Sequence, residues 1–318
     1  MDGATDVSVL KINPNNSFST FYYYMVILTI TIIYVLRGKN SLVFFNHFNI
    51  SNFTVFVLYV FLFTSFSIFL LLKLVFKKAN LAKSVDYLFS VNNLVVLLPY
   101  LFSINTVFSF LFFLELISVA LLYKLISSKI WFKSHTKGNS VNNSIPQSYI
   151  NMVFFQYWVT FFSTIFIVYF YINIFYLYGT SDWYIVQYLN ITSLDSSRVF
   201  GFFQKLSTSI FIFSIFFKLG ITPFHLFKVE IYKGIPFLSI FLYTTYYFSI
   251  FLSFFFYFLS DFIGGLTVHY YFLIITSLFV GVLYIVVLLF DVNMIKAFFT
   301  YSTVINTTGF LIAFISNI

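Results

Sequence analysis

The chain has 318 residues, of which 61% are hydrophobic and 8% charged, against about 45–50% apolar and roughly 25% charged in a soluble domain. Apolar runs of membrane-crossing length, about 18 residues or more, recur from end to end, which excludes a water-soluble fold. The net charge of +8 is spread between these runs, so it reads as membrane topology and lipid-headgroup contact and not as a nucleic-acid-binding face.

Residue usage excludes further chemistry. With no Cys, there is no disulfide, thiolate metal site or thiol nucleophile, and His47, His135, His225 and His269 are too scattered to suggest a metal site. Phe (51) and Tyr (25) are abundant, and with Ile and Asn they favour AT-rich codons, as an organelle genome would supply. No Gly-rich phosphate loop, dinucleotide fingerprint or Ser/His/Asp order is present.

In chain order, residues 1–17 form a polar N-terminal segment with acids and one Lys, unlike an Arg-rich transit peptide. Hydropathy then predicts about nine helical spans, near 18–36, 53–76, 86–103, 105–126, 150–178, 204–226, 237–259, 267–290 and 296–316. The runs are continuous instead of alternating, so a barrel is excluded and strands are not expected. Residues 127–147 read as a polar basic loop with Lys129, Lys133, His135 and Lys137. No domain boundary is evident, and residues 1–318 read as a single all-α, polytopic transmembrane bundle.

Charges between the spans fall asymmetrically on two sides. One side takes Lys77, Lys78, Lys83, Lys124, Lys129, Lys133, Lys137, Lys228, Lys233 and Lys296. The other takes Arg37, Lys39, Arg198, Asp182, Asp195 and Asp261. The positive-inside tendency places the Lys-rich side, with the N-terminus, towards the compartment of synthesis. Asn-x-Ser/Thr triplets such as 142–144 and 190–192 are what an Asn-, Ser- and Thr-rich chain makes by chance.

Two ionisable residues lie at bilayer depth, where insertion scales put the cost at about 2.5–3.5 kcal/mol each, so they are candidates for function. Glu115 sits mid-run between Phe108 and Tyr123, and Lys218 sits between Ile210 and His225. Ser207, Ser214, Lys218, Thr222 and His225 recur at steps of three, four or seven residues and would share one helix face. Lys218 and His225 would be about 10 Å apart on a continuous helix at 1.5 Å per residue. Pro223 with Gly220 should break or kink that helix, and a freed carbonyl there needs water or a polar partner. Such a line of hydroxyls, imidazole and ammonium suits a hydrated proton path. Structural alternatives stand beside it: a protonated Glu115 bonded to a neighbouring helix, Lys218 as an ion-pair partner, and His225 as a satisfied polar residue near an interface.

The segment from Phe217-Lys218-Leu219-Gly220-Ile221-Thr222-Pro223-Phe224-His225 to Lys228-Val229-Glu230-Ile231-Tyr232-Lys233-Gly234-Ile235-Pro236 resembles the signature of the antiporter-like, proton-pumping subunits of respiratory complex I. Its Glu230-x-Tyr232-x-Gly234-x-Pro236 order selects the subunit 2 branch. Ser103-Ile104-Asn105 with Glu115-Leu116 resembles that family's glutamate helix. Lys296, Tyr301-Ser302-Thr303 and Gly309-Phe310 resemble a later Lys, Tyr-Ser-Ser and Gly-Tyr. The resemblance covers residues from Asp86 to the C-terminus.

That resemblance implies that Glu115 and Lys218 form a charge-switching pair beside a broken helix, Gly220 to Pro223, with His225 on the proton path. Ser214, Thr222, Tyr246, Tyr247 and Lys296 are possible further path residues. Departures from the pattern are that Phe237 to Leu259 holds Thr244, Thr245, Tyr246 and Tyr247 but no Lys, that Gln156 stands where a Lys is usual, that Asn306 stands for a His, and that Val229 stands for a Pro. The resemblance further implies a multi-pass subunit of proton-translocating NADH:ubiquinone oxidoreductase in the mitochondrial inner membrane, organelle-encoded and carrying no redox chemistry or cofactor itself. Expected partners are other complex I membrane subunits, lipids and a second fragment supplying further C-terminal helices. The rivals are a structural complex I scaffold without a working path and an Mrp-type cation/proton antiporter subunit.

Overall fold

The computed structural model describes residues 41–43, 45–79, 85–128, 147–192, 198–263 and 268–316. The segment 1–17, the expected span 18–36 and nearly all of the loop 127–147 lie outside the described residues. The other eight expected spans fall on helices.

A short antiparallel hairpin, β1 (Ser41–Val43) and β2 (Phe48–Ile50), comes first. It corrects the expectation of no strands. Its turn puts Phe45 and Asn46 at positive φ (53° and 68°), a conformation Asn tolerates and Phe rarely adopts. A three-residue strand is too short to show in a hydropathy window.

Helix α1 (Asn52–Ala79) starts at a reciprocal cap, with Thr54 N–H donating to Ser51 Oγ at 3.2 Å and Ser51 N–H to Thr54 Oγ1 at 2.9 Å. Helix α2 (Val85–Leu97) tightens into a 3₁₀ turn, Leu98–Ser103, with Pro99 at its start. Helix α3 (Val107–Ser127) is capped by Thr106 and Ser109, each side chain bonding the other's backbone N–H. Helices α4 (Gln147–Tyr178) and α5 (Trp183–Thr192) follow. The ten-residue α5 is too short for the window that found the spans.

The remainder comprises α6 (Arg198–Leu219), α7 (Leu226–Gly234), α8 (Phe237–Leu242), a π turn at Tyr243–Tyr247, α9 (Phe248–Ile263), α10 (Val268–Leu289) and α11 (Ile295–Ser316). The architecture is an all-α membrane bundle. Val107–Ser127, Gln147–Tyr178 and Phe237–Tyr257 are long and apolar enough to cross a bilayer. The outer face of α4 exposes Phe154, Trp158, Phe161, Phe162 and Ile165, as a helix facing lipid should.

Helix α4 packs along both α6 and α7, α2 lies on α3, and α11 lies on α7 and α10. Aromatic rings fill the centre: Phe170 stacks on Phe211 at 4.2 Å and Phe110 on Phe254 at 5.5 Å, contacts that add about 0.5–1.5 kcal/mol each beyond burial. Where α7 ends, a Cβ on Gly234 would lie 2.4 Å from the Ser148 carbonyl oxygen. The close approach of α7 to α4 therefore requires glycine there.

At one end, Asn105 joins three segments. Its N–H donates to the His47 carbonyl at 2.9 Å, its side-chain amide to the Asn46 carbonyl at 2.9 Å, and its own carbonyl accepts from Trp183 N–H at 3.0 Å. The Ser-x-Asn pattern thus ties the hairpin and α5 to the start of the Glu115 helix.

Candidate functional site

Helix α6 turns its polar line inwards: Ser207, Ser214 and Lys218 are all buried, Lys218 at 4% exposure. The helix stops at Leu219, where Gly220 takes φ +63°. Ile221 N–H reaches back to the Phe216 carbonyl at 3.1 Å. The Thr222–Pro223 peptide is cis, and α7 restarts at Leu226 with His225 as its cap residue. Gly220 and Pro223 therefore break the helix as expected. Thr222 and His225, expected on one continuous face with Lys218, instead lie in the break and at the start of a new helix, both buried.

Lys218 and Glu115 lie on neighbouring helices. The Lys218 ammonium donates to the Leu114 carbonyl at 3.5 Å, one residue before Glu115, and lies within electrostatic reach of the Glu115 carboxylate. The two are not in direct contact: among the described residues the ion pair formed is Lys233–Glu230 at 2.5 Å. Glu115 Oε2 accepts from Ser118 Oγ at 3.3 Å, while Oε1 is buried without a hydrogen-bond partner. A carboxylate and an ammonium that are close but not bonded can exchange partners without first breaking a tight ion pair.

His225 has both ring nitrogens buried with no partner meeting hydrogen-bond geometry. The Pro223 backbone and the Lys228 ammonium are its electrostatic neighbours, and its ring lies against Tyr284 at 5.9 Å and Tyr301 at 6.4 Å. Thr222 Oγ1 is likewise buried and unpaired. Gly281 of α10 comes so close to Thr222 that a Cβ there would sit 2.2 Å from Thr222 Cβ. Helix α10 thus walls the break.

Other candidates take different roles. The Tyr246 hydroxyl donates to the Val95 carbonyl at 2.9 Å and ties the π turn to α2. Tyr247 is buried between the rings of Tyr243 and Phe251. Lys296 donates to the carbonyls of Lys233 (3.2 Å) and Ile235 (2.7 Å), so it closes the C-terminal end of α7. Lys296→Met should lower thermal stability by about 1–3 kcal/mol, the cost of two carbonyls losing a charged donor. Comparing unfolding midpoints of the two chains in detergent would check it, and an unchanged midpoint would show the bonds to be dispensable.

Several buried polar residues were not singled out by sequence. Lys124 (2% exposed) and Lys228 (1%) were read with the headgroup-facing lysines, but both are enclosed by protein. The Lys124 signal was present in Leu121-Leu122-Tyr123-Lys124-Leu125-Ile126, an ionisable residue inside an apolar run. Asn92 is also buried, as is Gln156, which the sequence marks only as a departure from the family pattern, and both have side-chain amide atoms lacking partners.

No protein-family model matches the chain. Over 72 residues, 22% of its length, the chain is 38% identical to "Uncharacterized mitochondrial protein ORF4" of Paramecium tetraurelia, and the matched region spans about half (46%) of that protein. A buried, broken-helix ammonium beside a membrane carboxylate is what the geometry offers, and the similarity is to a mitochondrial protein.

Proposed function

We propose that this chain is a membrane-arm subunit of a proton-translocating NADH:ubiquinone oxidoreductase in the mitochondrial inner membrane, and that it moves protons without performing redox chemistry. The observation that carries this reading is the buried Lys218, placed at a helix break and within reach of Glu115 without a direct bond to it. Charge at that depth is favoured when the two groups approach and disfavoured when they part. A change in their separation therefore moves a proton. The resemblance to antiporter-like subunits supports the same assignment, and the mitochondrial relative supports only its placing in a mitochondrion.

In native membrane vesicles, Glu115→Gln keeps the shape and the Ser118 contact but cannot ionise. The expected result is a fall in NADH-driven proton uptake per electron with the assembly intact. Normal coupling by this variant would remove the basis for the reading.

On this reading the exposed Asn306 and Gly309 of α11 face a further membrane helix of the assembly, because an amide against lipid is costly. A cysteine at position 306 should crosslink to a partner polypeptide.

A further inference from the structure

The break in α6–α7 holds a second ammonium that no part of the Glu115–Lys218 pair uses. Lys228 is 1% exposed and its Nζ has no hydrogen-bond acceptor. That nitrogen lies 4.1 Å above the centre of the Phe248 ring, the first residue after the π turn. The aliphatic stem runs over the break itself, since a Cβ on Gly220 would meet Lys228 Cδ at 3.2 Å and Cβ at 3.4 Å. His225, one turn earlier, is electrostatically coupled to it.

A permanent ammonium is poorly served here. Three amines, Lys124, Lys218 and Lys228, are buried, and Glu115 lies within electrostatic reach of Lys218, while Glu230 is partly exposed and paired with Lys233. An unpaired buried cation gives up its proton readily, while an aromatic face favours keeping it by about 2 kcal/mol when desolvated. With these influences opposed, a change in the surroundings of the nitrogen can decide the protonation state. His225 on α7 is electrostatically coupled to Lys228, the rings of Tyr284 on α10 and Tyr301 on α11 lie against His225, and Tyr301 is in turn within electrostatic reach of Lys233 and Glu230. Among the described residues no carboxylate lies within ion-pair distance of the Lys228 ammonium.

We infer that Lys228 is a second proton-holding residue, which passes protons between the break at Gly220–Pro223 and the π turn at Tyr243–Tyr247, with His225 as its neighbour on the path. The step is proton transfer alone: the neutral amine forms an N–H bond with a proton from a hydrated donor, and that bond breaks towards the next acceptor. This assignment rests on the proposed proton translocation and adds a residue to it. It also gives a physical role to the buried His225, which is electrostatically coupled to Lys228.

The test is a series at position 228 in native membrane vesicles, run beside Glu115→Gln. Lys228→Gln is expected to lower NADH-driven proton uptake by about a hundredfold, the lower end of the effect of losing a proton-transfer group. Lys228→His, which can still bind and release a proton, should retain part of the uptake with its optimum moved to lower pH. Lys228→Arg, permanently charged, should fail as Lys228→Gln does. Uptake at the wild-type level with Gln overturns the inference, as does full restoration by Arg, which would make Lys228 a structural cation over Phe248. A chain that assembles with Arg but with neither Gln nor His also overturns it. If Glu115→Gln is impaired while Lys228→Gln is not, this inference alone fails; if Glu115→Gln is unimpaired, the functional reading fails.

Discussion

Lys218→Met is expected to abolish proton uptake by native vesicles while the chain still accumulates in the membrane. Met matches the lysine in length and suits an apolar core, so packing around α6 should survive. The lost hydrogen bond to the Leu114 carbonyl is long, 3.5 Å, and contributes little by itself. What disappears is the buried cation within electrostatic reach of Glu115, and with it any exchange of a proton between the two. Lys218→Arg sharpens the point. It restores the charge but cannot release a proton at accessible pH, so uptake should stay absent although Glu115 again has a cationic neighbour. Uptake per electron at the wild-type level in either variant would show that Lys218 is a structural cation.

The second large effect is steric. Gly281→Ala should destabilise the bundle by about 3 kcal/mol, the upper part of the range for overpacking a core. The new methyl would sit 2.2 Å from Thr222 Cβ, 2.7 Å from Cγ2 and 2.8 Å from Oγ1. All three atoms belong to a short side chain fixed within the break, so relief requires α10 or the break to move. The expected signature is a lower unfolding midpoint together with reduced proton uptake, because the displaced segment lies between Lys218 and His225. Thr222→Gly in the same chain removes the three clashing atoms and should recover much of the midpoint. A stable single variant would mean that α10 does not lie against the break in the membrane.

The helical spans from 53 onwards were legible because hydrocarbon imposes one requirement, an apolar run with internally satisfied backbone, and that requirement is local. The break was legible for the same reason. Pro223 cannot continue a helix and Gly220 readily takes a positive φ, whatever surrounds them. Glu115 and Lys218 stood out because an ionisable residue in an apolar run is conspicuous without any knowledge of its neighbours.

What sequence could not decide was which charges lie at the membrane surface and which are enclosed. Lys228 and Lys233 look alike in Lys228-Val229-Glu230-Ile231-Tyr232-Lys233, yet the first is buried over Phe248 and the second pairs with Glu230. That difference is set by the face of α7 turned towards α9 and by the glycine at 220 that lets the Lys228 stem pass, neither of which is local. The tie of the hairpin to the Glu115 helix and the roles of Tyr246 and Lys296 were hidden likewise, since each rests on backbone partners far away in the chain: His47 with Asn105, Val95 with Tyr246, and Ile235 with Lys296. Sequence alone places this protein in a membrane and marks its long helices from residue 53 onwards and the point where one of them breaks, because these follow from the solvent and the local backbone. Only the tertiary structure decided which polar groups share an interior, because burial and pairing depend on which helix faces meet.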